Sequence, residues 1–178
     1  IDGTYPKAGQ DNSSQGFRDN FNEIKTNFTE TKTEIEDLQT NKANLNASSD
    51  FTNNEVLRAK LKNNSETIYA HGSVSSGSVT LNHGNGHYQT LTITADTTLA
   101  FTNFPSGALG RIILDITVSP TSTGILTLPS AVIKADNVTG SDGTSDQITI
   151  GLGRALFEFM SPDGGTTVLM HQLGKQYV

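Results

Sequence analysis

Between Gly16 and Gly72 the chain contains no glycine, and between Pro6 and Pro105 no proline, so its first third runs without the residues that break helices most strongly. Within that window Phe17, Phe21, Ile24, Phe28, Thr31, Ile35, Leu38, Lys42 and Leu45 follow one another at alternating steps of four and three. This is a heptad register. With Phe21 at position a, the a set is Phe21, Phe28, Ile35 and Lys42, and the d set is Phe17, Ile24, Thr31, Leu38 and Leu45. The residues between them are almost all polar. A stripe of two positions in seven suits a seam between helices, whereas a helix resting on a globular core usually shows a third apolar position per heptad. No second heptad segment is present to act as an internal mate, and an isolated helix of this length is marginal in water. The expected mate is therefore another copy of the chain, and the competing expectation is a single amphipathic helix lying on its own β domain.

The seam residues pull in two directions on copy number. Ile35 at a with Leu38 at d is the dimer preference, while Ile24 at d and the bulky Phe21 and Phe28 at a favour a wider seam, and the balance leans to three. Asn12-Ser13-Ser14-Gln15 reads as a capping box at the helix start. The Asn- and Ser-rich stretch 44–54 offers side chains that compete with helical hydrogen bonds, so the helix is expected to end near Leu45 or Asn46.

Beyond the helix the composition changes. Charge is concentrated early, while the threonine, valine and isoleucine that suit a pleated, half-buried surface dominate the later part. After a connector strand around Glu55–Leu61, β-type runs are expected at 73–81, 88–95, 98–101, 111–118, 124–128, 147–150, 154–160 and 166–172, with the spacing of a β-sandwich or jelly roll. In the run from Arg111 to Val118 the residues Ile112, Leu114, Ile116 and Val118 share one face, as do Ala155, Phe157 and Phe159 later, and these faces should build one core. Pro162-Asp163-Gly164-Gly165 should close a hairpin. The expected fold class is α+β by segments, a coiled-coil helix followed by an all-β sandwich or jelly-roll domain. Its parts are an extended arm at 1–12, a helix at 13–46, a linker with the connector strand at 47–71, and the β domain at 72–178.

Composition narrows the function. Twelve basic against 18 acidic side chains give a net charge of −6, which disfavours nucleic acid as a partner. The absence of cysteine removes disulfides, thiolate metal sites and thiol nucleophiles. No run approaches the ~20 apolar residues of a membrane span, so no membrane insertion is expected.

The series Tyr88-Gln-Thr-Leu-Thr-Ile-Thr94, Thr97-Thr-Leu-Ala-Phe101, Gly110-Arg-Ile-Ile-Leu-Asp-Ile116, Leu126-Thr-Leu-Pro129 and Phe159-Met-Ser-Pro-Asp-Gly-Gly-Thr-Thr167 resembles a β domain of bacteriophage tail-fibre and other virion structural proteins. The opening from Tyr5 to Phe21 is similar to the N-termini of small fibre proteins of tailed phages, where it precedes a helical stalk. The resemblance implies a virion protein: a homotrimer joined through Phe17, Phe21, Ile24, Phe28, Thr31, Ile35, Leu38 and Leu45, with the β domain pointing outward. The arm, with Tyr5, Pro6, Lys7, Gln10 and Asp11, is the expected anchor to capsid, neck or tail protein, since so short a segment has no core of its own and should order against a partner. A host-glycan adhesin and a capsid or neck decoration protein are the alternatives.

Residues that suggest chemistry are few. His83-Gly-Asn-Gly-His87 has the four-residue spacing that binds zinc on a helix, but it falls between strands, with two glycines that suggest a mobile turn. Gly140–Asp146 lacks the full spacing and terminal Glu of a calcium loop. No metal and no cofactor is expected. The candidate ligand loops are 82–88 and 137–146, with His83, His87, Tyr88 and Asp142. No nucleophile elbow is complete. Asp115 and Glu158 are the best-placed carboxylates for hydrolysis, yet polar residues are normal on the outward face of a strand, and the chain is not expected to be an enzyme.

Overall fold

The computed structural model describes residues 3–11, 13–42, 49, 51 and 56–175. The chain divides into two compact units, Ile1–Lys60 and Leu61–Val178.

The first unit holds one helix, α1 (Ser14–Asn41), of 28 residues. Ser13 is its N-cap in extended backbone, with no side-chain bond to the turn above; Asn12, the capping residue of the expected box, lies outside the described residues. Gln15 binds along the helix, donating from Nε2 to Asp19 Oδ1 at 2.7 Å and accepting from Arg18 Nη2 at 3.1 Å. Thr29, Thr33 and Thr40 donate their hydroxyls to carbonyls one turn back, at Lys25, Thr29 and Glu36, so their side chains are satisfied within the helix. At the C-terminal end Lys42 leaves the helix in extended backbone while its N–H still donates to Leu38 O at 3.1 Å. The expected end near Leu45 or Asn46, and Leu45 itself, lie outside the described residues.

The second unit is built of strands: β1 (Ile68–Val74), β2 (Ser78–Asn82), β3 (Tyr88–Ile93), β4 (Thr97–Thr102), β5 (Ser106–Val118), β6 (Ile125–Thr127), β7 (Val132–Lys134), β8 (Gln147–Thr149), β9 (Gly153–Asp163) and β10 (Val168–Lys175). They form a six-stranded sheet in the order β1-β3-β5-β9-β10-β7 and a four-stranded sheet in the order β2-β4-β6-β8. From β1 to β9 successive strands alternate between the sheets, and β1, β3 and β5 are mutually parallel, as are β2, β4 and β6. Ile68 lies opposite Tyr88 and Ser78 opposite Thr98, so the chain winds as a coil that lays one strand in each sheet per turn. A parallel pair needs a crossover of a dozen or more residues, usually a helix. Here the crossover is a strand of the other sheet. β8, β9 and β10 then close the two sheets with antiparallel pairings.

This mixed pairing corrects the jelly-roll expectation, which requires antiparallel strands throughout. Three further corrections follow from backbone geometry. The run 73–81 is two strands in different sheets, separated at Gly77, whose φ of 92° only glycine adopts cheaply. Residues 56–61 of the expected connector strand are not a strand, and Arg58 there has φ 55°, a left-handed turn that interrupts an extended path. The first strand begins at Ile68 instead, and the unit that contains it begins at Leu61 rather than 72.

The alternation pattern in the longest strands holds. Ile112 faces Phe159, Leu114 faces Phe157 and Ile116 faces Ala155 across the β5–β9 pair, and all six are fully buried. Val79 and Leu81 from β2, Leu99 from β4, Leu126 from β6 and Ile148 from β8 join the same hydrophobic cluster from the other sheet. Each such side chain contributes roughly 1.5–3 kcal/mol on burial. The hairpin at Pro162–Gly165 forms as expected: Gly165 N–H donates to Ser161 Oγ at 2.8 Å and Thr167 N–H to Asp163 Oδ1 at 2.8 Å, which holds Asp163 below the usual carboxylate range.

Candidate assembly and binding surfaces

The helix exposes its heptad seam. Phe21 is 68 % exposed, Phe28 71 % and Leu38 69 %; Phe17, Thr31 and Ile35 are also exposed, and Ile24 is half-buried. Five aromatic or branched apolar side chains, Phe17, Phe21, Phe28, Ile35 and Leu38, exposed on one stripe of a 28-residue helix constitute a large unsatisfied burial.

The arm begins against the helix. Tyr5 turns back onto the first helical turn, its hydroxyl donating to Ser13 O and its ring meeting Phe17 edge-to-face with centroids 5.2 Å apart. Gly16 makes the fit: a Cβ there would stand 2.5 Å from Tyr5 Cζ. Of the five expected anchor residues, Tyr5 is thus partly used inside its own unit, while Pro6, Lys7, Gln10 and Asp11 are exposed.

The histidine loop is held by several hydrogen bonds. Residues His83–Asn85 form a 3-10 turn whose Gly84 N–H donates to Asn82 Oδ1 at 2.8 Å. Beneath it the fully buried Gln89 donates to Asn82 O at 2.8 Å and Gly86 O at 3.0 Å, and its Oε1 lies 2.9 Å from His71 Nε2. The His83 and His87 rings are 5.3 Å apart, and His83 also packs on Phe104. Burial first, and His87 second, hold His83 below the ordinary imidazole range. His87 Nδ1 is 3.7 Å from Glu66 Oε1. His171 lies opposite Glu158 in the β9–β10 pair and does not join these rings. Among the described residues no group of three or more His, Asp or Glu is placed to hold a metal ion.

Tyr88, expected in the loop, is the first residue of β3 and its hydroxyl donates to Asp115 Oδ2 at 2.8 Å. Asp115 is only 4 % exposed and accepts a bidentate pair from Arg154, with Nε at 2.6 Å and Nη2 also in contact. The guanidinium holds this carboxyl below its usual range, outweighing the opposing effect of burial. Glu158, the second carboxylate considered for hydrolysis, pairs with Arg111 at 3.3 Å. Both carboxylates therefore already have cations as partners. Arg154 was not a candidate from the sequence, where it read as the start of a strand; its register opposite Thr117, two residues along from the Asp115–Leu156 pair and on the same face, brings it there.

Asp142 sits in the 137–146 loop, where its carboxylate accepts from Thr144 N–H at 3.0 Å and Ser145 N–H at 2.7 Å, lowering its pKa to about 2. Beside it runs a polar groove of about 640 Å³ between β7 and the loop, lined among others by Lys134, Asp136, Asp142, Thr144 and Asp146. Lys134 crosses it, donating from Nζ to Ser145 O at 2.7 Å.

Among the described residues no helix is long and apolar enough to cross a membrane. Comparison with protein-family models, with curated proteins and with solved structures returns no match to this chain.

Proposed function

We propose that this protein is a structural fibre subunit of a tailed-phage virion, with no enzymatic role. It forms a homotrimer through the α1 seam, is held to the particle by its N-terminal arm, and presents its β unit outward as a two-sheet sandwich. The observation that carries this reading is the exposed heptad stripe of α1, with Phe21 and Phe28 at successive a positions and no second heptad segment in the chain to cover them. The order of elements, arm, helix and then a β body, is that of the fibre proteins which the N-terminal sequence resembles. Trimerisation would multiply weak arm contacts by linking three of them, provided the sites on the particle match their spacing.

The reading is tested on particles. Deleting residues 1–11 should strip the protein from virions while the purified variant keeps its oligomeric mass; full retention on virions would refute the anchoring role. A second reading, a host-glycan adhesin, draws support from the groove beside Asp142, whose carboxylates and hydroxyls suit sugar hydroxyl groups. A glycan array with the full chain separates it: binding that Asp136→Ala plus Asp146→Ala abolishes would favour the adhesin.

A further inference from the structure

The two outer faces of the β unit differ in chemistry. On the four-stranded sheet the outward residues beside the buried Val79, Leu81, Leu99, Leu126 and Ile148 include Ser78, Thr80, Thr98, Ala100, Ile125, Thr127, Gln147 and Thr149, polar but for Ala100 and Ile125. Such a face suits water. On the six-stranded sheet the outward rows are read from the register: Ile68, Tyr88, Ile113 and Glu158 lie side by side, as do Arg111, Met160, Leu169 and Ile133 one step away. Cross-strand partners point to the same side of a sheet, and these rows alternate with the buried Ile112, Phe159 and Met170. The outer face thus carries Ile68, Ile113, Leu156, Met160, Leu169 and Ile133 among the polar Thr90, Thr92, Thr117 and His171, with Ile68 63 % and Ile133 58 % exposed. Its four charged side chains, Asp115 with Arg154 and Glu158 with Arg111, form two pairs within the face. A surface that neutralises its own charge can be desolvated without stranding an ion.

The geometry points to this face as an interface between copies of the same chain: in the homotrimer of the proposed function, on which the inference rests, three six-stranded sheets turn their outer faces to a common axis. The strands run 7, 6, 13, 11, 8 and 3 residues. At ~3.3 Å per residue and ~4.8 Å between strands the face spans roughly 750 Å². Shared between two neighbours about a threefold axis, this is roughly 375 Å² against each, below the about 800 Å² per partner of a standard interface, so the face would depend on the stalk to hold the copies together. A second copy is the fitting occupant because the helix already requires copies, and a stalk that joins them raises the effective concentration of three such faces. Charge does not oppose the contact, since the two cations and two anions of each face are paired within the same copy.

The test uses the absence of native cysteine, so one introduced thiol is the only one in the chain. Ile113→Cys reports on the face and Thr80→Cys on the polar sheet, each made in the full chain and in the full chain carrying Phe21→Asp and Phe28→Asp. Maleimide labelling rates are measured at about 1 μM, with oligomeric mass by sedimentation and strand content by circular dichroism; Leu156→Cys replaces Ile113→Cys should the latter fail to fold. At least tenfold slower labelling at position 113 in the intact seam than in the broken one, with equal rates at position 80, is the expected result. An oligomer that labels at position 113 as fast as the seam-broken chain overturns the interface and leaves the helical assembly standing, and the face then belongs to a different partner. A seam-broken chain that stays oligomeric and protected at position 113 sinks the helical reading and retains the interface. A monomeric intact chain overturns both.

Discussion

Replacing Asp115 tests how the outer face of the six-stranded sheet is held together. Its carboxylate is buried and receives two hydrogen bonds from Arg154 and one from Tyr88. A hydrogen bond to a charged group is worth roughly 1.5–3 kcal/mol, and breaking a buried ion pair about 3–5 kcal/mol. Arg154 is about half exposed, however, so its guanidinium regains water once the carboxylate is gone, which places Asp115→Ala near the lower bound, about 3 kcal/mol. Asp115→Asn keeps one carbonyl acceptor and should cost about 2 kcal/mol. For a unit of this size that is a fall of roughly 6–10 °C in Tm, read by circular dichroism at fixed chain concentration. The pH dependence has a definite sign. Because the folded pKa lies below the ordinary 3.8, the carboxylate's contribution is complete above 3.8 and is lost as pH falls through the folded value. The gap between wild type and Asp115→Asn should therefore be constant from pH 7 to 5 and shrink below 3.8. A double-mutant cycle with Arg154→Gln should give a coupling of at least about 1.5 kcal/mol; a coupling under about 0.5 kcal/mol would refute the assignment of this stability to the pair.

Other substitutions probe the loops and the arm. Gly140→Ala should destabilise by about 3 kcal/mol or more in urea denaturation, because its Cβ would fall 1.9 Å from Thr149 O at a φ of +80°, whereas Gly143→Ala, at φ +81° but in open space, should cost only about 1 kcal/mol; equal costs would contradict the steric explanation. Gln89→Leu removes the buried donor to Asn82 O and Gly86 O, with an expected loss of about 2–4 kcal/mol and faster hydrogen exchange confined to residues 82–87. Gly16→Val should push the Tyr5 ring off Phe17, abolishing the nuclear Overhauser contacts between the two rings while the helix signal is retained.

Much of this fold is legible because it rests on two periodicities. The three-four spacing from Phe17 to Leu38 specifies a helix with one narrow apolar stripe, and the alternation in Arg111–Val118 and Ala155–Phe159 places the core residues of the two longest strands. Pairing partners are another matter. Thr-rich runs such as Ser78–Asn82 and Thr97–Thr102 alternate identically whether their neighbours are parallel or antiparallel, so the coil of alternating sheets was hidden, and so was the three-residue β7. Arg154 was invisible for the same reason, since only register brings it to Asp115 across 39 positions of sequence. The histidine loop looked loose because its glycines are local, while Gln89, which ties it, reads as an ordinary polar strand residue. Leu45, the last seam position, falls outside the described residues.

The central claim is that the α1 stripe is covered by other copies of this chain. Sedimentation equilibrium of the full-length protein addresses it directly: the account predicts a mass three times the 19.0 kDa of the chain, falling to a single chain mass when Phe21→Asp and Phe28→Asp are introduced together. A single-chain mass for the unmutated protein at tens of micromolar would contradict it.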